Sequence, residues 1–202
     1  AAQVHDLGKV GISDALLKKP APLDDDERQR MRDHVIIGAR LFAEHPNEFD
    51  EAARDVVLNH HERWDGGGYP GHVDALTGLR VPDPVTGKPR EGGKRGEEIP
   101  LFARIVSIAD VFDAISHARP YKVAWPLEQT LAHIEGLAGT HLDPHLVALF
   151  LPLIQRLVAE HADLDAHHHH TARQHRTGLR RLLARRGGRR RLRRARGHAP
   201  PA

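Results

Sequence analysis

At 202 residues the chain is long enough for one domain with a real core plus an appendage. It has no cysteine, which excludes disulfide scaffolds and thiolate metal sites and fits a reducing compartment such as the cytoplasm. Its net charge of +3 is uneven: residues 171–202 carry 12 arginines and no acid, whereas the first 170 residues hold 18 Lys and Arg against 27 Asp and Glu. The basic pI therefore describes the tail and excludes reading the whole protein as a nucleic-acid binder.

No apolar run approaches the roughly 18 residues of a membrane span, and the N-terminus is no signal peptide. The chain opens Ala-Ala-Gln-Val and its one methionine is Met31, so a processed chain or a fragment is expected.

In chain order, residues 1–7 read as the last turns of a helix stopped by Gly8, and Ser13 as the cap of a short helix to Lys18. The stretch DDDERQRMRDHVIIGARLF reads as one helix, with acids in its first turn where the helix dipole favours them. Its predicted buried stripe is Met31, Val35, Gly38, Leu41 and Phe42, with His34 inside it. Residues 51–64 form the next helix, placing Ala53, Val56, Val57, His60, His61 and Trp64 on one face.

Residues 72–95, rich in Gly, Pro and charge, read as a long surface loop or small hairpin. The segment 100–117 starts with Pro100 at a first helical position and is apolar nearly all round, as a central core helix should be. Helices at about 126–137 and 144–161 follow, the second capped by Asp143. Nothing alternates at period two and no internal repeat stands out. The expected fold is all-α: a helical bundle over residues 1–162 with a loop insertion at 72–95. Residues 163–202, with His167–His170 and the arginine run, form a tail expected to be disordered in isolation.

Four polar positions fall where helices should be buried: His5-Asp6, His34, His60-His61 and Asp110. Each alone has a bland reading, since a histidine on an apolar face is more often hydrogen-bonded core, and Asp110 could pair with Arg104 or Lys122. Four such sites on four helices are better satisfied by metal, because unpaired imidazoles and carboxylates are costly in a core. Histidine and carboxylate without sulfur suit Mn, Fe or Zn. Adjacent helical residues point about 100° apart, so His60 and His61 are expected to serve two neighbouring ions, with Asp6 bridging. Paired ions are the usual clamp for phosphate-ester hydrolysis.

The motifs HDLGKVGISDALLKKP, HHERWDGGGYPG, GEEIPLFARIVSIADVFDAISHARPYK and GTHLDPHLV, in that order, resemble the HD-GYP subgroup of the HD phosphohydrolases over about residues 4–150, apart from 72–95. The resemblance implies a bi- or trinuclear centre, of iron or manganese before zinc, that hydrolyses cyclic di-GMP to pGpG or GMP in bacterial signalling. It makes His5, Asp6, His34, His60, His61 and Asp110 metal ligands, and Lys9 and Asp6 the catalytic candidates. Lys9, Arg119, Lys122 and Tyr69 are the substrate-binding candidates, the first three toward phosphate. Asp113 is expected to be a structural partner.

The resemblance also implies diguanylate cyclase domains as partners of the GYP loop, and a further ligand-bearing helix upstream of His5. Without that helix, weak metal binding and little turnover are expected of this chain. The rival readings are a hydrolase of another nucleotide and a catalytically silent interaction or sensor module. The arginine tail could engage nucleic acid or an anionic membrane surface, or nothing.

Overall fold

A computed structural model describes residues 2–42, 47–117 and 123–160, which are helical with no strand among them. The chain divides into two compact units, Ala1–Leu151 and Pro152–Ala202. The first holds every helix named below. In the second, the described residues 152–160 are helical.

Residues Ala2–Val4 and Leu7–Gly11 are 3-10 turns, followed by the short helix α1 (Asp14–Leu17). Gly8 does not stop a helix, contrary to the sequence reading. It sits inside the second 3-10 turn because the helix His34–Arg40 lies directly against it, and a Cβ there would collide with the carbonyl oxygen of His34. Only glycine permits that approach, which carries Asp6 up to His34.

The acidic stretch begins a helix as expected. Asp24 and Glu27 form a reciprocal capping box, Glu27 N–H donating to Asp24 Oδ1 (2.8 Å) and Asp24 N–H to Glu27 Oε2 (2.9 Å). The single helix predicted here is, however, two: α2 (Asp25–Arg32) and α3 (His34–Arg40), divided at Asp33. At the break the His34 ring donates from Nδ1 to the Met31 carbonyl (2.8 Å), the acceptor a continuous helix would offer to Val35 N–H. Leu41, predicted to be buried, is 56% exposed, because α3 ends one residue before it.

Helix α4 (Glu48–Asn59) is capped by Asn47, whose Oδ1 accepts from the amides of Phe49 and Asp50. Ala53, Val56 and Val57 on its inner face are fully buried, each valine contributing about 1.5–3 kcal/mol relative to an exposed position. It packs against α3 on one side and α5 (Leu101–Ser116) on the other. Pro100 is the N-cap of α5 rather than its first residue. The helix is also less enclosed than predicted: Leu101, Phe102 and Ile105 are 50, 55 and 44% exposed. Ile108 and Ile115 meet Ile134 of α6 (Leu127–Gly136), Leu142 and Val147 in one core cluster. Val35, Ala39 and Leu58 form another, against which Tyr69, Val73 and Ala75 pack.

The 72–95 segment is a pair of matched turns, a repeat the sequence reading passed over. Asp74-Ala-Leu-Thr77-Gly78 recurs as Asp83-Pro-Val-Thr86-Gly87. In each, the glycine amide donates to the aspartate carbonyl (2.8 Å). Asp74 Oδ1 accepts from Leu76 N–H, Thr77 N–H and Thr77 Oγ1, and Asp83 Oδ1 from the amides of Val85 and Thr86. Single antiparallel bridges, Val73 with Arg80 and Pro82 with Pro89, close the two turns.

Candidate metal centre

Asp6 stands between the two 3-10 turns and divides its carboxylate. Oδ2 accepts from Lys9 Nζ (2.6 Å) and lies 3.4 Å from His5 Nε2. Oδ1 is sealed from solvent with no hydrogen-bond partner, 3.5 Å from His34 Nε2 and 3.9 Å from His60 Nε2. Those two nitrogens are likewise buried and unpartnered.

The backbone explains why the nitrogens cannot satisfy the oxygen. His34 Nδ1 is committed to Met31 O, and His60 Nδ1 to Val57 O (3.0 Å) and Val56 O (3.2 Å). In both residues the ring leans back on the carbonyl three positions earlier, so Nδ1 carries the proton and Nε2 presents a lone pair. Three lone-pair atoms thus face one another in a dry space. A cation satisfies that arrangement where another hydrogen-bond acceptor cannot.

His61 completes a four-residue group with Asp6, His34 and His60, whose candidate ligand atoms all lie within 4.8 Å of one another. Asn59 is the last residue of α4 and His60 its C-cap, and the rings of His60 and His61 approach to 4.1 Å between centroids. Both histidines thus contribute to the same four-residue group. His5 adjoins it, with its ring 5.0 Å from that of His60 and Nε2 3.6 Å from Asp110 Oδ1. The structure thus gathers His5, Asp6, His34, His60, His61 and Asp110 from four segments.

The electrostatics suit cation binding. Burial works against the Asp6 carboxylate, but hydrogen bonds from His5 and Lys9 outweigh it and hold the acid well below its usual range. Burial, with the neighbouring imidazoles, pushes His60 down to about 4 and His61 to about 2, and burial lowers His34. At neutral pH the group is one carboxylate and three neutral imidazoles, the form in which each can ligate.

Tyr69 stacks on His61, centroids 4.8 Å apart at 24°, and burial raises its phenol pKa. The Asp113 carboxylate lies 3.1 Å from His117 Nδ1 at an exposed helix end. Arg104 pairs with Asp143 (2.7 Å), not with Asp110. Arg119 and Lys122 lie outside the described residues, as does the tail from 163.

Sequence reasoning missed Glu62. Its buried carboxylate accepts from the amides of Gly71 (2.5 Å) and Lys94 (3.0 Å), pinning both ends of the insertion beneath the histidine pair. Lys94 Nζ continues inward to Asn59 Oδ1 (2.6 Å). Gly68 packs its backbone on Glu62 and Arg63, where a Cβ would clash. The available signal was an acid at a helix end followed at once by a loop full of amides in need of an acceptor.

An HD domain family model matches residues 1–115, more than half of the chain, and a second HD domain model matches residues 85–146. The chain is 41% identical over 151 residues to the cyclic di-GMP phosphodiesterase response regulator RpfG of Xanthomonas campestris, covering 75% of this chain and 34% of that protein. It is 37% identical to a cyclic di-GMP phosphodiesterase of Thermotoga maritima, covering 76% and 36%. It is 34% identical to 3'3'-cGAMP-specific phosphodiesterase 2 of Vibrio cholerae, covering 81% and 27%. The chain thus spans about a third of the length of these curated relatives. The HD domain match and the Asp–His group together point to divalent metal binding. With its HD pair, its histidine cluster and its GYP loop, the chain belongs to the HD domain family, in the HD-GYP subgroup.

Proposed function

We propose that residues 1–162 form a metal-dependent phosphodiesterase that hydrolyses cyclic di-GMP to pGpG or GMP in the bacterial cytoplasm. The observation that carries this reading is the convergence of Asp6 Oδ1, His34 Nε2 and His60 Nε2, three buried atoms with no partner. Asp6, His34, His60 and His61 would hold one ion, and His5 with Asp110 would extend the centre to a second or third, iron or manganese before zinc. Divalent ions there supply the Lewis acidity that phosphodiester hydrolysis needs.

The chain's own groups do the rest. Lys9 holds one carboxylate oxygen of Asp6, leaving the other to the ion, and its ammonium retains N–H donors for a phosphate oxygen. Tyr69 fixes the plane of the His61 ring. Arg119 and Lys122 hold the substrate phosphates. The GYP loop serves as the docking surface for diguanylate cyclase domains, and the arginine tail for nucleic acid or an anionic membrane. Among the described residues no helix is long and apolar enough to cross a membrane.

The relative named for 3'3'-cGAMP supplies a rival substrate. A silent sensor module is disfavoured, because the six candidate ligands are present and brought together. The test is metal loading with Mn²⁺ or Fe²⁺, followed by turnover of cyclic di-GMP beside cyclic GMP-AMP. Preferential cleavage of cyclic di-GMP is expected. Preference for cyclic GMP-AMP overturns the substrate, and metal binding without any turnover overturns the activity.

A further inference from the structure

A cavity of about 280 Å³ opens beside the metal centre, between α2, the Gly68–Pro70 turn and the insertion. Arg32, Asp33, Ile36, Tyr69, Val73 and Arg80 line it. Two arginines and one aspartate thus line it, and neither arginine forms a salt bridge among the described residues, although Arg28, Arg63, Arg90 and Arg104 all do. Arg32 lies over the Tyr69 ring, 4.9 Å from its centroid, and the same ring stacks on His61. The cavity is therefore coupled through one aromatic side chain to the candidate ligand set.

Its far wall is fixed. Arg40 of α3 donates from Nε to Leu76 O (2.6 Å) and from Nη2 to Thr77 O (3.2 Å), clamping the first Asp–Thr–Gly turn. Val81 N–H donates to His72 O (2.8 Å), and Arg80 Nη1 to Arg90 O (2.9 Å), which orients the Arg80 fork. Ile36 and Val73 give the cavity an apolar side suited to a flat ring.

We propose that this cavity is a nucleotide subsite, created by the insertion, in which Arg32 and Arg80 grip the phosphate of a nucleoside monophosphate unit. Guanidinium forks without carboxylate partners suit phosphate bidentately. The volume of about 280 Å³ lies just below the roughly 300–1,000 Å³ of ligand pockets, which suits one nucleotide half and not a whole cyclic dinucleotide. The subsite deepens the cyclic di-GMP reading and rests on it for the identity of the nucleotide: one half lies over the metals and the other enters this cavity.

The experiment is calorimetric titration of 5′-GMP into the full chain in a chelating buffer, where the metals play no part. Saturable binding is expected, weakened at least tenfold by Arg32→Ala and by Arg80→Ala, with Arg80→Lys intermediate. Guanosine, lacking the phosphate, should bind at least tenfold more weakly than GMP. Both arginines are exposed, so the variants should melt as the parent does. Absence of GMP binding, equal affinity in parent and both alanine variants, or equal affinity for guanosine and GMP overturns the subsite. The two readings fail separately. Metal-loaded protein that binds GMP here but leaves cyclic di-GMP intact overturns the activity alone, and turnover with an arginine-independent GMP affinity overturns the subsite alone.

Discussion

Asp6 and the paired aspartates of the insertion, Asp74 and Asp83, are the same residue type in opposite circumstances. Asp74 and Asp83 are part-exposed or exposed, yet each saturates its Oδ1 with local donors, three in one turn and two in the other. Asp6 is half-buried, yet its Oδ1 has no donor at all and faces two ring nitrogens that have none to give. An acid that satisfies itself locally shapes the backbone. An acid left unsatisfied where water cannot reach keeps its capacity for something the protein does not contain.

If that contrast is sound, the largest effect follows from emptying the unsatisfied group. Replacing His60 and His61 together by alanine should strip bound metal and abolish turnover, as metal analysis and hydrolysis assays would show. Unchanged metal stoichiometry would remove the basis for treating the two regions differently.

The next effect is pH-dependent. His60 is held near 4 against an ordinary value of 6.5, so the unfolded chain takes up its proton first as pH falls. Its contribution is therefore complete above about pH 6.5 and lost as pH drops towards 4, about 3 kcal/mol in the metal-free protein. Asp6, also depressed, loses its contribution below that window. Denaturation of metal-free protein from pH 7 to 4 should show the decline, flattened in His60→Ala. An equal slope in both proteins would count against the burial of a neutral imidazole.

Glu62→Ala should cost about 2 kcal/mol, because it leaves the amides of Gly71 and Lys94 without their acceptor. A thermal melt shifted by less than a degree would mean that other groups hold the insertion. Smaller still, Asp74→Ala should cost about 1 kcal/mol and leave metal content at the parent level. Loss of metal in this variant would break the division between the self-satisfied acids and the centre.

Much of this was legible in sequence. Apolar spacing located α4 and its buried Ala53, Val56 and Val57, and the six polar residues suspected on core faces do converge. The break at Asp33 was not legible, because it accompanies the His34 ring taking a backbone carbonyl, a choice that only the packed site enforces. The Asp–Thr–Gly repeat lies in the sequence as turn chemistry, with no period-two alternation to mark it. Arg104 with Asp143 joins residues 39 positions apart, a pairing no local pattern announces.

The central claim is that Asp6 Oδ1, His34 Nε2 and His60 Nε2 face one another because they hold a cation. Its most direct test is calorimetric titration of Mn²⁺ into the metal-free 202-residue chain, beside Asp6→Asn and His34→Ala. The His167–His170 run is present in all three proteins and contributes equally to each. The account predicts a saturable binding phase in the parent that both variants lose. The same stoichiometry and affinity in all three proteins would contradict it.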